Sequence, residues 1–257
     1  MKTIIIHSAP RSGSTIFCKL LEEKKGYVVM PETYLPGALL SENFVLSEGS
    51  IESCMPDGFP ISSQEIFNYI NHRNNKLAAL IELMELKYKP EVLVLKSTRI
   101  VSPWLSYKKG NIDIEFFWIN RNPINIFESM SRVSFGEKNH NPLRFSVWIS
   151  SYKAINKIGK YLTIDYSKSK DFIEKLEEGS QIKKSYSSDY HSKKLWHKNL
   201  RNVFTNNDFE KIKKVSRGNK IIIHTSLILL NPFSKMMVRL RKYYDKKLIE
   251  KINTGEI

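Results

Sequence analysis

The chain has 257 residues, and its 41 Lys or Arg outnumber its 26 Asp or Glu to give a formal net charge of +15. Its 41% hydrophobic and 11% aromatic residues suffice for a core and argue against an intrinsically disordered chain. Two cysteines, Cys18 and Cys54, are too few for a disulfide scaffold or a zinc site, and they favour a reducing compartment. The length fits one large α/β domain or two small ones, and we start from a single domain over residues 1–257.

Neither a secretion signal nor a membrane span is predicted. The apolar run at the N-terminus is three isoleucines before Pro10 and Arg11, whereas a secretory signal needs roughly 7–15 apolar residues. The longest apolar stretch, Ile221–Leu230, contains three polar residues and falls short of the roughly 18 residues of a membrane span. We therefore expect a soluble, cytoplasmic protein.

Most of the positive charge lies in the C-terminal third, which is expected to be mainly helical from about residue 180. Residues 180–257 contain 18 Lys or Arg and 6 Asp or Glu, a net charge of +12, against +3 for residues 1–179. Clustered basic side chains attract anions, so this part favours a polyanionic ligand or an anionic or membrane-surface substrate, unless it is simply a set of solvated helix faces. Nucleic acid is not favoured, because the basic run has no regular stripe of aromatic residues on which bases would stack.

Short apolar runs that end in polar loops predict a parallel sheet. The predicted strands, in chain order, are Thr3–His7, Tyr27–Met30, Glu91–Lys96, Ile114–Asn120 and Tyr161–Asp165. Helical patterns lie between them, which predicts strand–helix–strand units and an α/β fold with helices on both faces of the sheet. The aromatic residues of these segments favour the core over adenine stacking, and they are Trp104, Trp118, Trp148, Phe116, Phe117 and Phe127.

The helices are bounded by recognisable start and stop signals. One follows the first strand over residues 16–24, and another begins at Ser62 or Ser63 and runs to about residue 87, before Pro90. Pro123 and Pro142 suit the first turn of two further helices, which end at about residues 132 and 158. Further helices are predicted over residues 169–178 and, strongly basic, over about 232–251.

The loop after the first strand has the composition of an anion-binding site. Residues 8–15 (S-A-P-R-S-G-S-T) lead into a helix, whose N-terminal N–H groups and dipole attract anions. A nucleotide-hydrolase loop would read G-x-x-x-x-G-K-[ST], but here Ser14 replaces the lysine and Arg11 carries the charge, while Thr15 keeps the hydroxyl. The loop therefore predicts phosphate binding and disfavours a metal-assisted ATPase. The structural alternative is a tight connection capped by Ser12 and Ser14.

A second anion site is predicted where the fourth strand ends. Arg121 stands at the carboxyl end of that strand, where open α/β sheets bind ligands. Ser129 lies about two turns into the following helix, so its hydroxyl and the Arg121 guanidinium are expected to hold one phosphate. Helix capping by Arg121 and packing by Ser129 are the alternative. Two anion sites on neighbouring units imply a ligand with phosphate at both ends.

These motifs carry a family resemblance. P-R-S-G-S-T after the first strand and R-N-P-I-N-I-F-E-S after the fourth resemble the sulfotransferases that use 3′-phosphoadenosine 5′-phosphosulfate (PAPS), especially the bacterial trehalose-type, carbohydrate and tyrosylprotein branches. The resemblance covers roughly residues 2–35 and 91–166, and it implies a three-layer, P-loop-like parallel sheet flanked by helices. It implies that the 5′-phosphosulfate is bound by Arg11, Ser12, Gly13, Ser14 and Thr15, and the 3′-phosphate by Arg121 and Ser129. Residues 181–194 lack the family's glycine-rich R-K-G-type stretch. By position, the resemblance assigns three further nucleotide contacts to Ser192, Lys193 and Trp196.

The resemblance also implies catalytic roles. Sulfuryl transfer needs a base for the acceptor hydroxyl and cationic groups for the charge of the departing phosphate. Glu32, in the family-like P-E-T context, is the implied base, while Lys96 in L-K-S-T-R and Arg11 stabilise charge and Arg99 helps to bind acceptor or donor. No metal is expected to be required. His7 is a rival base, and a surface carboxylate at position 32 and a snorkelling lysine at position 96 are the structural alternatives.

The sequence thus predicts an enzyme that transfers a sulfuryl group from PAPS to a hydroxyl of a carbohydrate, lipid, peptide or small metabolite. Residues 36–62, which follow Glu32 directly, are expected to form part of the acceptor pocket. The alternatives are a P-loop nucleotide kinase or hydrolase and a polyanion-binding protein that uses the basic C-terminal third.

Overall fold

A computed structural model of the chain describes residues 2–107, 114–121, 126, 129, 141–158, 161–165 and 230–257. Five parallel strands form one sheet in the order β2-β3-β1-β4-β5. They are β1 (Lys2–His7), β2 (Tyr27–Val29), β3 (Val92–Ser97), β4 (Ile114–Asn120) and β5 (Tyr161–Asp165). All five predicted strands are confirmed, each with bounds within one residue of the expectation.

The described helices cover much of the chain between and after the strands. They are α1 (Ser14–Glu22), α2 (Leu35–Ala38), α3 (Glu48–Cys54), α4 (Ser63–Ile70), α5 (Lys76–Tyr88), a 3-10 helix (Ser102–Ser106), α6 (Asn141–Ile158) and α7 (Leu230–Thr254). The predicted helices after the first strand, after Pro142 and in the basic C-terminal part are confirmed as α1, α6 and α7. Of the predicted helix over residues 123–132, only two helical residues are described, and the one over residues 169–178 lies outside the described part.

The single helix predicted from Ser62 or Ser63 to residue 87 is wrong, because the chain turns between α4 and α5. Asn75 begins α5, and its side-chain oxygen accepts a hydrogen bond from the Ala78 N–H at 3.0 Å. Lys76 donates to the last main-chain carbonyls of the preceding turn, at Ile70 and Asn71. An Asn cap competes well with helix continuation, so the polar run N-H-R-N-N separates two helices.

Alternating residues of the strands pack on opposite faces of the sheet, which gives a three-layer, P-loop-like α/β fold. Ile4 and Ile6 of β1 pack with Phe17 and Leu21 of α1 on one face. Ile5 lies on the other face, in a cluster to which α5, α6 and α7 contribute. The expected core aromatics that are described are all buried, namely Trp104, Trp118, Trp148, Phe116 and Phe117; Phe127 lies outside the described residues.

The sheet order places the predicted site residues at one edge. Strand β1 lies in the centre between β3 and β4, with Ile6 in register with Lys96 and with Phe117. Because the strands are parallel, the loop after β1, the end of β3 and Arg121 after β4 all meet at the carboxyl edge of the sheet. Among the described helices, none is long and apolar enough to cross a membrane.

Candidate functional site

The loop between β1 and α1 has an unusual backbone. Arg11 has a φ of 66° and Gly13 a φ of 101°, both in the left-handed region. A left-handed residue other than glycine costs about 1–2 kcal/mol, and such residues cluster at ligand-binding sites. Gly13 is the residue before the first turn of α1 and provides no side-chain cap. The residue before α1 therefore does not occupy the first N–H groups of the helix, which suits an anion site.

Two serines of this loop are buried with unsatisfied hydroxyls. Ser8 and Ser12 are both 0% exposed, and neither side-chain oxygen has a hydrogen-bond partner among the described residues. A buried hydroxyl without a partner costs about 1–3 kcal/mol. This argues against the alternative in which Ser12 merely caps the helix, since it makes no capping bond. The loop has both the amides and the hydroxyls that fit a phosphate or sulfate group.

The second predicted anion site is in direct contact with the first. The Arg11 side chain donates from Nε to the Ser129 hydroxyl at 3.0 Å. Arg121 donates from Nη1 to the main-chain oxygen of Arg11 at 2.8 Å. The two sites were expected to be separate, but Arg11 joins them because β1 and β4 are neighbouring strands. An anionic ligand of this edge would therefore meet Arg11, Arg121 and Ser129 together.

Lys96 connects the anion loop to Glu32. Its ammonium donates to Thr15 Oγ1 at 2.8 Å and to Glu32 Oε2 at 2.6 Å. The Lys96 side chain is 6% exposed and that of Glu32 is 25% exposed. The alternatives of a snorkelling lysine and of a surface carboxylate are therefore wrong, because the ammonium lies inside the site and holds the carboxylate there.

The other oxygen of Glu32 accepts from the segment that follows β3. Thr98 donates its hydroxyl to Glu32 Oε1, and Arg99 Nε lies 3.4 Å from the same oxygen. Burial raises the pKa of Glu32, but the Lys96 charge, the hydrogen bonds from Lys96 and Thr98, and the Arg99 charge together hold that pKa below its ordinary value. Glu32 is therefore ionised at neutral pH.

Two residues of this network were not predicted from the sequence. Thr98 stands inside the L-K-S-T-R motif and Tyr34 inside P-E-T-Y, so both lie next to residues that were predicted. The Tyr34 hydroxyl accepts from Arg99 Nη1 at 2.8 Å, and the guanidinium lies 5.2 Å from the centre of the tyrosine ring. The only available signal was proximity in sequence, because a threonine or tyrosine in a loop has no characteristic spacing.

A cleft of about 600 Å³ opens beside Glu32. Its walls come from the residues around Glu32, from α3 and the turn after it, from Arg99 and from the chain end after α7. The polar side chains in these walls include Glu32, Tyr34, Glu52, Asp57 and Arg99. Of the segment 36–62, residue 49 and residues 52–57 line this cleft. That the segment forms part of an acceptor pocket stays a prediction.

His7 is poorly placed to act as the base. It is 0% exposed, and its ring centre lies 5.6 Å from that of Trp104 and 6.4 Å from that of Trp118. Burial lowers the pKa of His7 to about 4, against a smaller opposing effect of the Ser151 main chain. An acceptor hydroxyl in the cleft would meet Glu32 and not this enclosed ring.

The two cysteines are not joined by a disulfide, and neither is suited to act as a nucleophile. Both are buried free thiols, and burial raises the pKa of each to about 12, although the nearby Lys96 charge opposes this at Cys18. Both are therefore protonated at neutral pH.

Most of the predicted site residues lie close together at the carboxyl edge of the sheet. Three others, Ser192, Lys193 and Trp196, lie outside the described part of the chain. Among the described residues, no group of three or more His, Cys, Asp and Glu could hold a metal ion. That the activity requires no metal stays a prediction. No protein-family model matches the chain, and no curated protein matches it.

Proposed function

We propose that the protein is a PAPS-dependent sulfotransferase that uses Glu32 as the general base. The observation that carries the proposal is the position of Lys96, whose ammonium touches both Thr15 at the anion loop and Glu32 at the cleft. A single buried cation thus lies between a group suited to bind the donor phosphate and a carboxylate suited to take a proton from the acceptor. Sulfuryl transfer needs these two groups on either side of the reacting sulfur.

The residues of the loop fit the anionic ends of the donor. The first N–H groups of α1 and the buried hydroxyls of Ser8 and Ser12 suit the 5′ end. Arg121 and Ser129 suit the 3′-phosphate, and Arg11 contacts both of them. The donor supplies a sulfuryl group that is already activated, so these residues only need to bind and orient it.

The proposed reaction is an in-line displacement. The acceptor oxygen bonds to sulfur, the bond between sulfur and the 5′-phosphate oxygen breaks, and the acceptor proton passes to the Glu32 carboxylate. The products are a sulfate ester and 3′-phosphoadenosine 5′-phosphate. Arg11 and Lys96 stabilise the negative charge that develops on the departing phosphate.

Lys96 also adjusts Glu32 for this role. With Lys96 against it, Glu32 is ionised but is a weak proton acceptor, because its pKa lies below the ordinary value. An anion beside Thr15 competes with Glu32 for the same ammonium. As the ammonium turns toward that anion, the pKa of Glu32 rises, and Glu32 becomes a stronger base when the donor site is occupied.

The cleft beside Glu32 is the proposed acceptor site. Glu52 and Asp57 in its wall are exposed carboxylates, and they add negative charge to the cleft. They favour an uncharged or cationic hydroxyl compound over the anionic acceptor that the overall charge suggested.

Replacing Glu52 and Asp57 by their amides is expected to improve kcat/KM for an anionic acceptor more than for a neutral one. An equal effect on the two acceptors would contradict this part of the proposal.

Calorimetric titration with 3′-phosphoadenosine 5′-phosphate in metal-free buffer tests the donor assignment. We expect micromolar binding that Arg121→Ala weakens about tenfold or more, because a charge-assisted contact is lost. Sulfate transfer from labelled PAPS to a panel of sugars, phenols and amino alcohols then tests the activity. Absence of nucleotide binding would refute the proposal.

The contact between Lys96 and Thr15 also favours a second candidate, a P-loop kinase or hydrolase. The anion loop lacks its own lysine, but Lys96 of β3 brings an ammonium to within 2.8 Å of the Thr15 hydroxyl. This candidate predicts binding of magnesium-ATP in a parallel titration and turnover of its terminal phosphate. A polyanion-binding protein predicts instead binding that falls steeply with salt, and no turnover.

A further inference from the structure

The long basic helix α7 carries a buried carboxylate that contacts the segment after β3. Asp245 is 1% exposed, although most residues around it in the sequence are basic or exposed. Its Oδ2 accepts hydrogen bonds from the main-chain N–H of Ser102 at 2.7 Å and of Val101 at 3.2 Å. These are the N–H groups at the beginning of the 3-10 helix, so Asp245 caps that helix from a distance of 143 residues along the chain.

A second residue of α7 holds the same segment. Arg241 lies one turn before Asp245, is 12% exposed and forms an ion pair with it. Its guanidinium also donates to the main-chain oxygen of Arg99. The two side chains together bind the backbone on both sides of Ile100.

The opposite side of this segment is equally restricted. Gly37 of α2 packs directly against Ile100, and a Cβ at position 37 would collide with the main-chain oxygen of Ile100. Ile100 itself is 1% exposed. The segment 98–102 is thus held between α2 and α7, and its path leaves it little freedom to move.

This segment carries two of the groups that contact Glu32. The Thr98 hydroxyl and Arg99 Nε both contact Oε1, while Lys96 is the one described residue that contacts Oε2. We propose that Asp245 and Arg241 are positioning residues, which fix the segment 98–102 so that Thr98 and Arg99 direct Oε1 of Glu32. Neither residue contacts Glu32 itself, and their effect passes through the backbone at residues 99, 101 and 102.

The proposal predicts that loosening this segment changes Glu32. The described charged and titratable groups around Glu32 are Lys96 of β3, Arg99, Tyr34 beside Arg99 and Cys18 of α1, together with Glu52 and Asp57 in the wall of the cleft. Lys96 belongs to the sheet and does not depend on α7, so its contact with Oε2 remains. Release of Thr98 and Arg99 removes two of the interactions that favour the ionised carboxylate.

The test is a titration of Glu32 by ¹³C NMR of the glutamate carboxyl groups, with the signal assigned by its loss in Glu32→Gln. In Asp245→Asn, which loses the charge but keeps the shape, the Glu32 midpoint is expected to rise by about 0.5 pH or more. Arg241→Met is the second variant, and it is used if Asp245→Asn fails to fold. An unchanged Glu32 midpoint in a folded variant of either kind would overturn the proposal.

A double-mutant comparison separates positioning from a general structural effect. If Asp245 acts through Arg99 and Thr98, then Asp245→Asn is expected to add little to the midpoint of a variant that already carries Thr98→Val and Arg99→Gln. An additive effect would contradict the proposed route. Asn253→Ala is the matched control on the same helix: Asn253 binds the main chain of Asn43 and Val45 and not the segment 98–102. We expect that variant to leave the Glu32 midpoint unchanged.

The kinetic part of the inference rests on the proposed function. In a sulfotransferase assay, Asp245→Asn is expected to lower kcat about 3- to 10-fold, because loss of the orientation of Oε1 outweighs the stronger basicity of Glu32. The acidic limb of the kcat profile is expected to move upward, while the affinity for 3′-phosphoadenosine 5′-phosphate stays the same. Asp245→Glu keeps a carboxylate at this position and is expected to retain part of the kcat that Asp245→Asn loses. The NMR midpoints do not depend on activity, so absent nucleotide binding would refute the proposed function and leave this inference to be judged on Glu32 alone.

Discussion

The ammonium of Lys96 lies 2.6 Å from a carboxylate oxygen of Glu32, and only 6% of the lysine side chain is exposed. An ion pair this well enclosed differs from the surface pairs of the same chain, because removal of one partner leaves the other charge with little solvent around it. The pair also joins β3 to the segment that follows β2, and these two strands are neighbours in the sheet. The Lys96–Glu32 contact is thus both a structural link and the centre of the candidate site.

Replacing Lys96 is expected to cost more stability than replacing an exposed lysine with the same pairing distance. Lys96→Met leaves Glu32 partly buried without its main cation, and the loss is expected to be about 2–3 kcal/mol, less than for a fully buried pair because Glu32 is 25% exposed. Lys87→Met is the control, since Lys87 also lies 2.6 Å from a carboxylate, that of Glu65, but both side chains are about one-third exposed or more. That variant is expected to lose about 0.5 kcal/mol. Urea unfolding of both variants measures the difference, and equal losses would show that the enclosure of the Lys96 pair has no energetic effect.

Glu32→Gln is expected to abolish most of the turnover and little of the nucleotide binding. The amide keeps the shape of the side chain but accepts no proton, and loss of a general base lowers kcat by about 100-fold or more. Nucleotide binding is expected to be kept or tightened, because Glu32 does not belong to the anion loop and its charge competes with the nucleotide for the Lys96 ammonium. Glu52→Gln removes a carboxylate from the same cleft and is expected to retain kcat. If both variants keep full turnover, Glu32 is not the base.

Much of this site was predictable because its charged residues lie at or just after the ends of strands that the sequence itself indicates. Arg11 and Arg121 follow apolar strands and Lys96 lies near the end of one, and parallel strands bring the residues at their carboxyl ends to one edge. The contact of Arg11 with Ser129 was not predictable, because it depends on which strands are neighbours and on the left-handed backbone of a residue other than glycine. Asp245 was missed for a similar reason: its partners are backbone N–H groups more than 140 residues away, and no local pattern marks them.

The buried His7 is expected to make the protein less stable in mildly acidic solution. Burial lowers its pKa to about 4 in the folded protein, from the ordinary value of 6.5 in the unfolded chain, so between these values the unfolded chain binds a proton that the folded protein does not. Stability therefore rises with pH from about 4 to 6.5 and is lost as the pH falls through that window, by roughly 3 kcal/mol in total. Urea unfolding at a series of pH values measures the slope. His7→Gln has no group that titrates there and is expected to flatten the slope, whereas an identical slope in both proteins would assign it to other groups.

Two substitutions of Arg11 separate the effect of its strained backbone from the effect of its charge. Its φ of 66° suits glycine better than any other residue, so Arg11→Gly removes a left-handed side chain, although it also makes the unfolded chain more flexible. Arg11→Ala keeps the unfavourable backbone, and the glycine variant is therefore expected to be about 0.5–1 kcal/mol more stable than the alanine variant. Both lose the guanidinium that contacts Ser129 and are expected to bind 3′-phosphoadenosine 5′-phosphate about tenfold or more weakly. Urea unfolding and calorimetry measure the two effects separately. Equal stability of the two variants would contradict the left-handed backbone at position 11. Wild-type affinity in both variants would show that Arg11 does not bind the donor. The two variants together therefore show whether backbone strain and nucleotide binding coincide at this residue.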